Sequence, residues 1–278
     1  MSNVELVVID PQNSFCKNVP AADQQTLHDG ELCVPGAAAD MDRLAIFVKK
    51  WGRKLSDISI TLDSHHPVDV AHPCFWRDSF GKNPSPFTII SAADVTSGKW
   101  LPSIPSKELK QRVLQYVTDL ENGKRYPLCI WPPHCLIGSP GHNVYASLFD
   151  ALYQWEVSNF MTLTTVTKGS NPYTEHYSAV KAEVPDPTDP TTQINTGFIE
   201  KLKKCDLILA SGEALNFCLA NTFQDIADAF GDDSYVKKLV LLRDATSSVP
   251  GFQALEDNFL KNMTARGMQM TTTIDFSM

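Results

Sequence analysis

The chain has 278 residues, of which 43% are hydrophobic and 20% are charged, so it is long and apolar enough to form a sizeable buried core. A formal net charge of −8 argues against nucleic acid or an anionic membrane as the main partner. No apolar run approaches the roughly 18 residues of a membrane span, and no signal peptide is recognisable, so we expect a cytoplasmic protein.

Short apolar runs rich in β-branched residues recur along the chain, and several are apolar at consecutive positions, which is typical of strands buried on both faces of a parallel sheet. Segments with apolar residues at helical spacing separate these runs. The alternation predicts βαβ units in a three-layer α/β sandwich, formed by a single domain over residues 1–278. The predicted strands are residues 4–9, 57–62, 161–167, 205–210, 237–242 and 268–274.

Two long loops follow directly on predicted strands, over about residues 63–105 and 168–192. Long non-repetitive loops in a compact domain are usually functional. In open α/β sheets, sites assemble at the carboxyl ends of the strands. We therefore expect the functional site at that edge of the sheet.

Metal-ligand residue types follow the second predicted strand and recur further on. The stretch "LDSHHPVDVAHPC" contains Asp63, His65 and His72, and "IWPPHCLIG" contains His134. One carboxylate and two imidazoles form a plausible ligand set for zinc, manganese or iron(II), with positions left for water or substrate. We rank this interpretation above ordinary surface histidines, and His72 is a candidate fourth ligand.

Three further residues lie at or just beyond strand ends. They are Asp10 in "IDPQNSF", Lys168 in "TVTKGSN" and Cys218 in "SGEALNFC". Taken singly, a turn, a solvated lysine and a buried helical cysteine are competing interpretations. Taken together they suit nucleophilic catalysis, because the ammonium and the helix N-terminus would lower the thiol pKa and the carboxylate would act as base. A helix that starts at Gly212 or Asn216 would place Cys218 near its N-terminus, and backbone N–H groups from Ala214 to Cys218 would face an oxyanion.

The seven cysteines are odd in number and show no disulfide spacing, so we expect reduced thiols, most of them small core residues. Of these, Cys218 is the one for which the surrounding pattern predicts a chemical role.

These motifs, in this order, resemble those of the isochorismatase-like cysteine hydrolases and, within them, the nicotinamidases. The resemblance implies an α/β/α sandwich around a mostly parallel six-stranded sheet, with a cis peptide bond between Glu213 and Ala214. It assigns Asp10, Lys168 and Cys218 to catalysis. The segments "DSHHP" and "WPPHCLIGSPG" are similar to the family's metal motifs, which supply Asp63, His65 and His134 here.

The implied reaction is hydrolysis of nicotinamide to nicotinate and ammonia through a thioester on Cys218, as in pyridine nucleotide biosynthesis. A divalent metal, most readily zinc, with manganese or iron as alternatives, would hold the pyridine nitrogen. Phe15, Trp131 and Tyr177 would wall the aromatic ring, by analogy of position.

Two departures from the family pattern keep other functions open. The chain has "EALNFC" where family members often have "ATDxC", which puts a carboxyl group at the turn in place of an aliphatic side chain, and its loops are longer. The same chemistry on another small amide or a carbamoyl compound is therefore an alternative, as is a catalytically silent member that binds metal. The aromatic loops also suggest self-association into a homo-oligomer.

Overall fold

A computed structural model describes residues 2–17, 19–20 and 27–278. Its centre is a six-stranded sheet in which every neighbouring pair of strands is parallel. The strands are β1 (Val4–Ile9), β2 (Asp57–Asp63), β3 (Thr164–Lys168), β4 (Leu207–Gly212), β5 (Leu239–Leu242) and β6 (Gln269–Thr271). Their order across the sheet is β6-β5-β4-β1-β2-β3.

Helices flank this sheet, which confirms the predicted α/β/α architecture. Helices α1 and α4 pack against each other, and α6 packs against α5, α7 and α8. The helices are α1 (Ala37–Trp51), α2 (Ala92–Ser97), α3 (Lys107–Gly123), α4 (Ala146–Asn159), α5 (Thr196–Lys203), α6 (Ala220–Phe230), α7 (Asp233–Val236) and α8 (Gln253–Arg266). No helix among residues 2–17, 19–20 and 27–278 is long and apolar enough to cross a membrane.

The strand register brings the predicted site residues to one edge. Every residue of β1 is buried, including Glu5 in its otherwise apolar run, and β1 lies between β4 and β2. Ile9 is paired with Gly212, and Asp63 is paired with Lys168. The carboxyl ends of β4, β1, β2 and β3 therefore meet side by side.

The loops predicted at residues 63–105 and 168–192 contain local structure and contact each other: the Val70 N–H donates to the Pro172 carbonyl oxygen at 2.9 Å. The first loop contains α2, and the chain leads from it into α3. Arg112 on α3 pairs with Asp186 in the second loop and stacks over the Tyr173 ring, 4.0 Å from its centroid. The short strands outside the main sheet are Val19–Pro20, Leu27–His28, Trp76–Arg77, Ile89–Ile90, Leu101–Pro102 and Leu128–Cys129. The 3₁₀ turns are Asn13–Phe15, Gly52–Lys54, Pro73–Phe75, Pro140–His142 and Pro190–Thr192.

Some of the aromatic residues in these loops face solvent. The Phe80 side chain is 93% exposed, and Phe87 is also exposed. Such residues favour association, and the homo-oligomer stays a prediction.

An ion-pair network closes the opposite end of the sheet. Lys201 on α5 lies 2.8 Å from a carboxylate oxygen of Glu5 and 2.9 Å from one of Asp57, and it also donates to Ser59 and Thr164. Glu5 is 1% exposed, so this ion pair is buried on the side of the carboxylate.

We expect Lys201→Met to lower the free energy of unfolding by about 1–3 kcal/mol, because the buried Glu5 carboxylate loses its ionic partner. Lys203→Met is the matched control: Lys203 pairs with Glu200 on the same helix, where the glutamate is 62% exposed, so its loss should cost under about 1 kcal/mol. Urea unfolding of both variants measures the difference, and equal losses would contradict the prediction.

Candidate active site

One buried lysine joins the two predicted groups of site residues. Lys168 Nζ lies 2.8 Å from Asp10 Oδ2, 3.1 Å from Asp63 Oδ1 and 3.5 Å from Cys218 Sγ. All four side chains are buried. Asp10 is further held by Thr61, which donates its hydroxyl to Asp10 Oδ1 at 2.5 Å and accepts the Asp10 backbone N–H at 3.0 Å. The acid, the amine and the thiol predicted to share one site are therefore in contact.

The nucleophile turn, residues 212–218, presents the cysteine. β4 ends at Gly212, whose φ of +101° and position against β1 require glycine, because a Cβ there would lie 2.1 Å from the Ile9 carbonyl oxygen. The Glu213–Ala214 peptide bond is cis. A helical turn then runs from Leu215 to Leu219 and continues into α6.

This helix begins at neither of the two residues suggested by the sequence, Gly212 and Asn216. Its N-cap is Ala214, so Cys218 lies in the first turn of the helix.

The protonation of the site differs from the sequence-based expectation of an acidic thiol. Burial raises the pKa of the Cys218 thiol well above its usual range, and the Lys168 ammonium only partly opposes this. Burial also raises the pKa of Asp10, again opposed by Lys168. For Lys168 burial alone would lower the pKa, but the carboxylates of Asp10 and Asp63 raise it well above its usual range. The resting site thus holds an ammonium and a neutral thiol.

The predicted metal ligands form a compact cluster beside this lysine. Ligand atoms of Asp63, His65 and His134 all lie within 4.8 Å of one another. His65 Nε2 is 3.0 Å from Asp63 Oδ2, and His134 Nε2 is 3.4 Å from the same oxygen. Asp10, Asp63 and Cys218 also approach one another this closely, but there the Lys168 ammonium already supplies the positive charge.

Hydrogen bonds on the far side of each imidazole orient the nitrogen that faces Asp63. His65 Nδ1 lies 3.2 Å from Asp69 Oδ2, and His134 Nδ1 lies 2.9 Å from the Pro132 carbonyl oxygen. Each acceptor requires the proton on Nδ1, which leaves a lone pair on Nε2. Two lone pairs then point at the Asp63 carboxylate, an arrangement that calls for a cation among them.

The charges of this cluster also favour a bound cation. Burial would lower the pKa of His65, yet the Asp63 carboxylate raises it to about 10, so the cluster takes up a proton where it holds no metal. A nitrogen and oxygen donor set with oriented imidazoles fits a divalent ion such as zinc.

His72 lies next to this cluster. Its ring centroid is 5.2 Å from that of His65 and 5.9 Å from that of His134. His72 Nδ1 is 3.3 Å from the Pro67 carbonyl oxygen, while Nε2 is buried and has no hydrogen-bond partner among the residues that the structure describes. Burial lowers the pKa of His72 to about 4, so this nitrogen carries a free lone pair. His72 as the fourth ligand stays a prediction.

A largely apolar cavity opens between Cys218 and the cluster of Asp63, His65 and His134. Phe15, Trp131 and Tyr177, which the sequence placed at the substrate by position, all line it together with Cys218. The Trp131 indole N–H donates to the Tyr177 hydroxyl at 2.9 Å. Phe217 packs edge-on against Trp131, with ring centroids 5.1 Å apart.

Several cavity residues were missed from the sequence, among them Glu175, His176, Phe217 and Val249. Glu175 accepts hydrogen bonds from Trp131 and Tyr177, and burial raises its pKa to about 8. Its signal was available, since Glu175 and His176 directly precede Tyr177 in the loop after β3. Val249, from the loop after β5, has no comparable signal because one apolar residue in a loop indicates no chemistry.

Solved structures with a similar fold cover nearly the whole chain. They include an Acinetobacter baumanii nicotinamidase/pyrazinamidase (TM-score 0.61, 18% identity, covering 99% of this chain and 98% of that one). A yeast nicotinamidase bound to the inhibitor nicotinaldehyde has TM-score 0.62 and 17% identity, covering 97% and 99%. A Pyrococcus horikoshii pyrazinamidase in complex with zinc has TM-score 0.54 and 17% identity, again covering 97% and 99%.

The chain therefore has the fold that these nicotinamidase and pyrazinamidase structures share, which confirms the α/β/α fold implied by the sequence motifs. Comparison with protein-family models and with curated proteins gives no match.

Proposed function

We propose that the protein is a metal-dependent cysteine amidohydrolase that converts nicotinamide and water into nicotinate and ammonia. The observation that carries this proposal is the contact of one buried ammonium, Lys168, with Asp10, Cys218 and Asp63. It joins an acid and a thiol to the proposed metal site, and Cys218 and Asp63 both line the adjoining cavity. Two proteins with this fold support the proposal: the Pyrococcus horikoshii pyrazinamidase binds zinc, and the yeast nicotinamidase binds the inhibitor nicotinaldehyde.

In the first half-reaction, Asp10 accepts the Cys218 proton, and the resulting thiolate attacks the amide carbonyl carbon. The buried Lys168 ammonium stabilises the thiolate, which the site otherwise disfavours. Backbone N–H groups of the nucleophile turn stabilise the oxyanion of the tetrahedral intermediate. Asp10 returns its proton to the nitrogen, the C–N bond breaks and ammonia leaves, which gives a thioester.

In the second half-reaction, Asp10 accepts a proton from water while the water oxygen attacks the thioester carbon. The C–S bond breaks, the acid is released and Cys218 recovers its proton from Asp10. The aspartate therefore acts as base and then as acid twice in each turnover. Such a reaction belongs to cytoplasmic pyridine nucleotide biosynthesis.

The cavity favours a flat ring as the substrate body. Phe15, Trp131 and Tyr177 supply aromatic walls, and the Trp131 and Tyr177 polar atoms are already bound to each other and to Glu175. These walls therefore offer apolar contact more than hydrogen bonds, which suits a small aryl amide.

We assign Asp63, His65 and His134 as ligands of a divalent metal, most readily zinc, with His72 as the fourth candidate. When bound, the ion supplies a Lewis-acidic position for the ring nitrogen of the substrate.

Replacing His134 by alanine is expected to remove most of the bound zinc, because the cluster keeps only two of its three core ligands. The zinc content measured by elemental analysis, after dialysis against zinc, should fall from about one ion per chain to well below one. His28→Ala, at an exposed histidine, is the control. Zinc content unchanged in the His134 variant would remove this assignment.

Ammonia release from nicotinamide by zinc-loaded protein tests the function directly. A parallel panel with pyrazinamide, benzamide, a carbamoyl amino acid and a ureido acid identifies the preferred amide. Turnover of nicotinamide well above that of the carbamoyl and ureido compounds supports the proposal. Faster turnover of a carbamoyl compound would show that the substrate is a carbamoyl compound and not nicotinamide. If none of the tested compounds releases ammonia, the catalytically silent, metal-binding alternative is supported.

A further inference from the structure

A buried pair of acids adjoins the nucleophile turn and has no role in the mechanism above. Glu213, in the turn, is 0% exposed, and Asp40, on α1, is 2% exposed. Ser247 hydrogen-bonds to both acids, through its backbone N–H to Glu213 Oε2 and its hydroxyl to Asp40 Oδ2, which brings the two carboxyl groups together. Two ionised carboxylates this close inside a protein repel strongly, so one of the two holds a proton.

The surrounding donors show which acid is neutral. The Asp40 carboxylate pairs with the Arg43 guanidinium at 2.5 Å and accepts a hydrogen bond from the Ser247 hydroxyl at 2.5 Å. Both interactions stabilise a negative charge on Asp40. Among the described residues, Glu213 receives only the Ser247 backbone N–H, at 3.2 Å on Oε2, and its Oε1 has no hydrogen-bond partner. Glu213 is therefore the acid that carries the proton. Burial, followed by the charge of Asp40, raises its pKa well above the usual range.

Glu213 and Asp40 connect the nucleophile turn to the loop that follows β5, because both bind Ser247 in that loop. Ser247 bridges both acids, through its backbone N–H to Glu213 and its hydroxyl to Asp40. The Ser247 carbonyl oxygen accepts the Leu215 N–H at 2.8 Å. Two residues further on, Val249 lines the cavity beside Cys218. The acid pair thus connects α1, the loop and the turn at one point.

We propose that Glu213 is a positioning residue: its neutral carboxyl group donates to Asp40, accepts from Ser247 and holds the nucleophile turn where Cys218 meets the substrate. The group acts through the turn and does not itself touch the reacting atoms. The inference rests on the proposed function for its kinetic readout alone.

A neutral Glu213 also makes stability depend on pH. Above the ordinary carboxyl pKa of 4.5, the unfolded chain releases this proton while the native protein keeps it. The contribution is therefore complete below about pH 4.5 and is lost as the pH rises through the raised native pKa. The other titratable groups that face Glu213 are Asp40, Arg43 and Cys16.

The experiment compares Glu213→Gln with Glu213→Leu. A glutamine amide can still donate to Asp40 and accept from Ser247, so kcat at neutral pH should stay within about threefold of wild type. Leucine makes neither bond, and we expect kcat to fall roughly 10- to 100-fold with KM within about twofold, since a small displacement of the turn misaligns the thiol. The rate of Cys218 alkylation by iodoacetamide, followed by mass spectrometry, should change in Glu213→Leu only.

Glu5→Leu is the control, because Glu5 is a buried acid at the opposite end of the sheet and its loss should lower stability without changing kcat. If Glu213→Leu does not fold, Glu213→Gln decides the question: its melting temperature should fall less than that of wild type as the pH rises above about 5. Unchanged kcat and alkylation in Glu213→Leu, or parallel pH profiles in Glu213→Gln and wild type, would overturn the inference. If nicotinamide is no substrate, the alkylation and melting measurements still test Glu213 separately.

Discussion

Cys218→Ala is expected to abolish ammonia release from nicotinamide, lowering kcat/KM by roughly 10⁴-fold or more. The reason is that the sulfur forms the covalent bond to the substrate carbon, and neither Asp10 nor Lys168 can replace it. The measurement is a coupled ammonia assay on protein whose zinc content and melting temperature have been checked. Removal of one buried sulfur should leave the fold intact.

Cys205→Ala is the matched control for this variant. Cys205 is also a buried thiol, but it contacts Glu5 at the far end of the sheet, so its removal should leave kcat/KM within about twofold. A Cys218→Ala enzyme that keeps more than a few per cent of wild-type activity would contradict the nucleophile assignment. The chemistry would then have to come from another group in the cavity.

Lys168→Met is expected to be the most damaging single substitution in the protein. It leaves the carboxylates of Asp10 and Asp63 buried, close together and without their cation, which should lower the free energy of unfolding by about 3–5 kcal/mol. Activity should be lost as well, because the thiolate of Cys218 loses its stabilising charge. Urea unfolding and the ammonia assay measure the two effects.

Two companion variants separate charge from packing in this prediction. Lys168→Met combined with Asp10→Asn should recover part of the lost stability but none of the activity, since one unpaired charge is gone and so is the base. Lys201→Met, at the opposite end of the sheet, should lose stability and keep kcat. A Lys168→Met protein as stable as wild type would show that the ammonium is not balancing these carboxylates.

The sheet and its site edge were predictable because local patterns determine them. The run Val4–Ile9 is apolar at every position except Glu5, which favours burial on both faces, and it forms the fully buried strand β1. Asp10, Asp63 and Lys168 end or follow strands, so a parallel sheet had to bring them to the same edge.

What could not be predicted depends on neighbours that are remote in sequence. The thiol of Cys218 was expected to be acidic because of its lysine and helix terminus, but burial is the larger effect and is set by the whole surrounding structure. The helix start was misplaced because Ala214 has no capping side chain. The pairing of Glu213 with Asp40 joins a turn to a helix far away in the chain, and no local pattern announces it.

The side-by-side arrangement of four strand ends has a practical consequence. The groups at the site come from segments between Asp10 and Val249, so a fragment that lacks any of these segments cannot assemble it. Turnover by the refolded protein would therefore report that the central sheet has formed. When refolding is monitored by enzyme activity, the signal should appear later than when it is monitored by helix content.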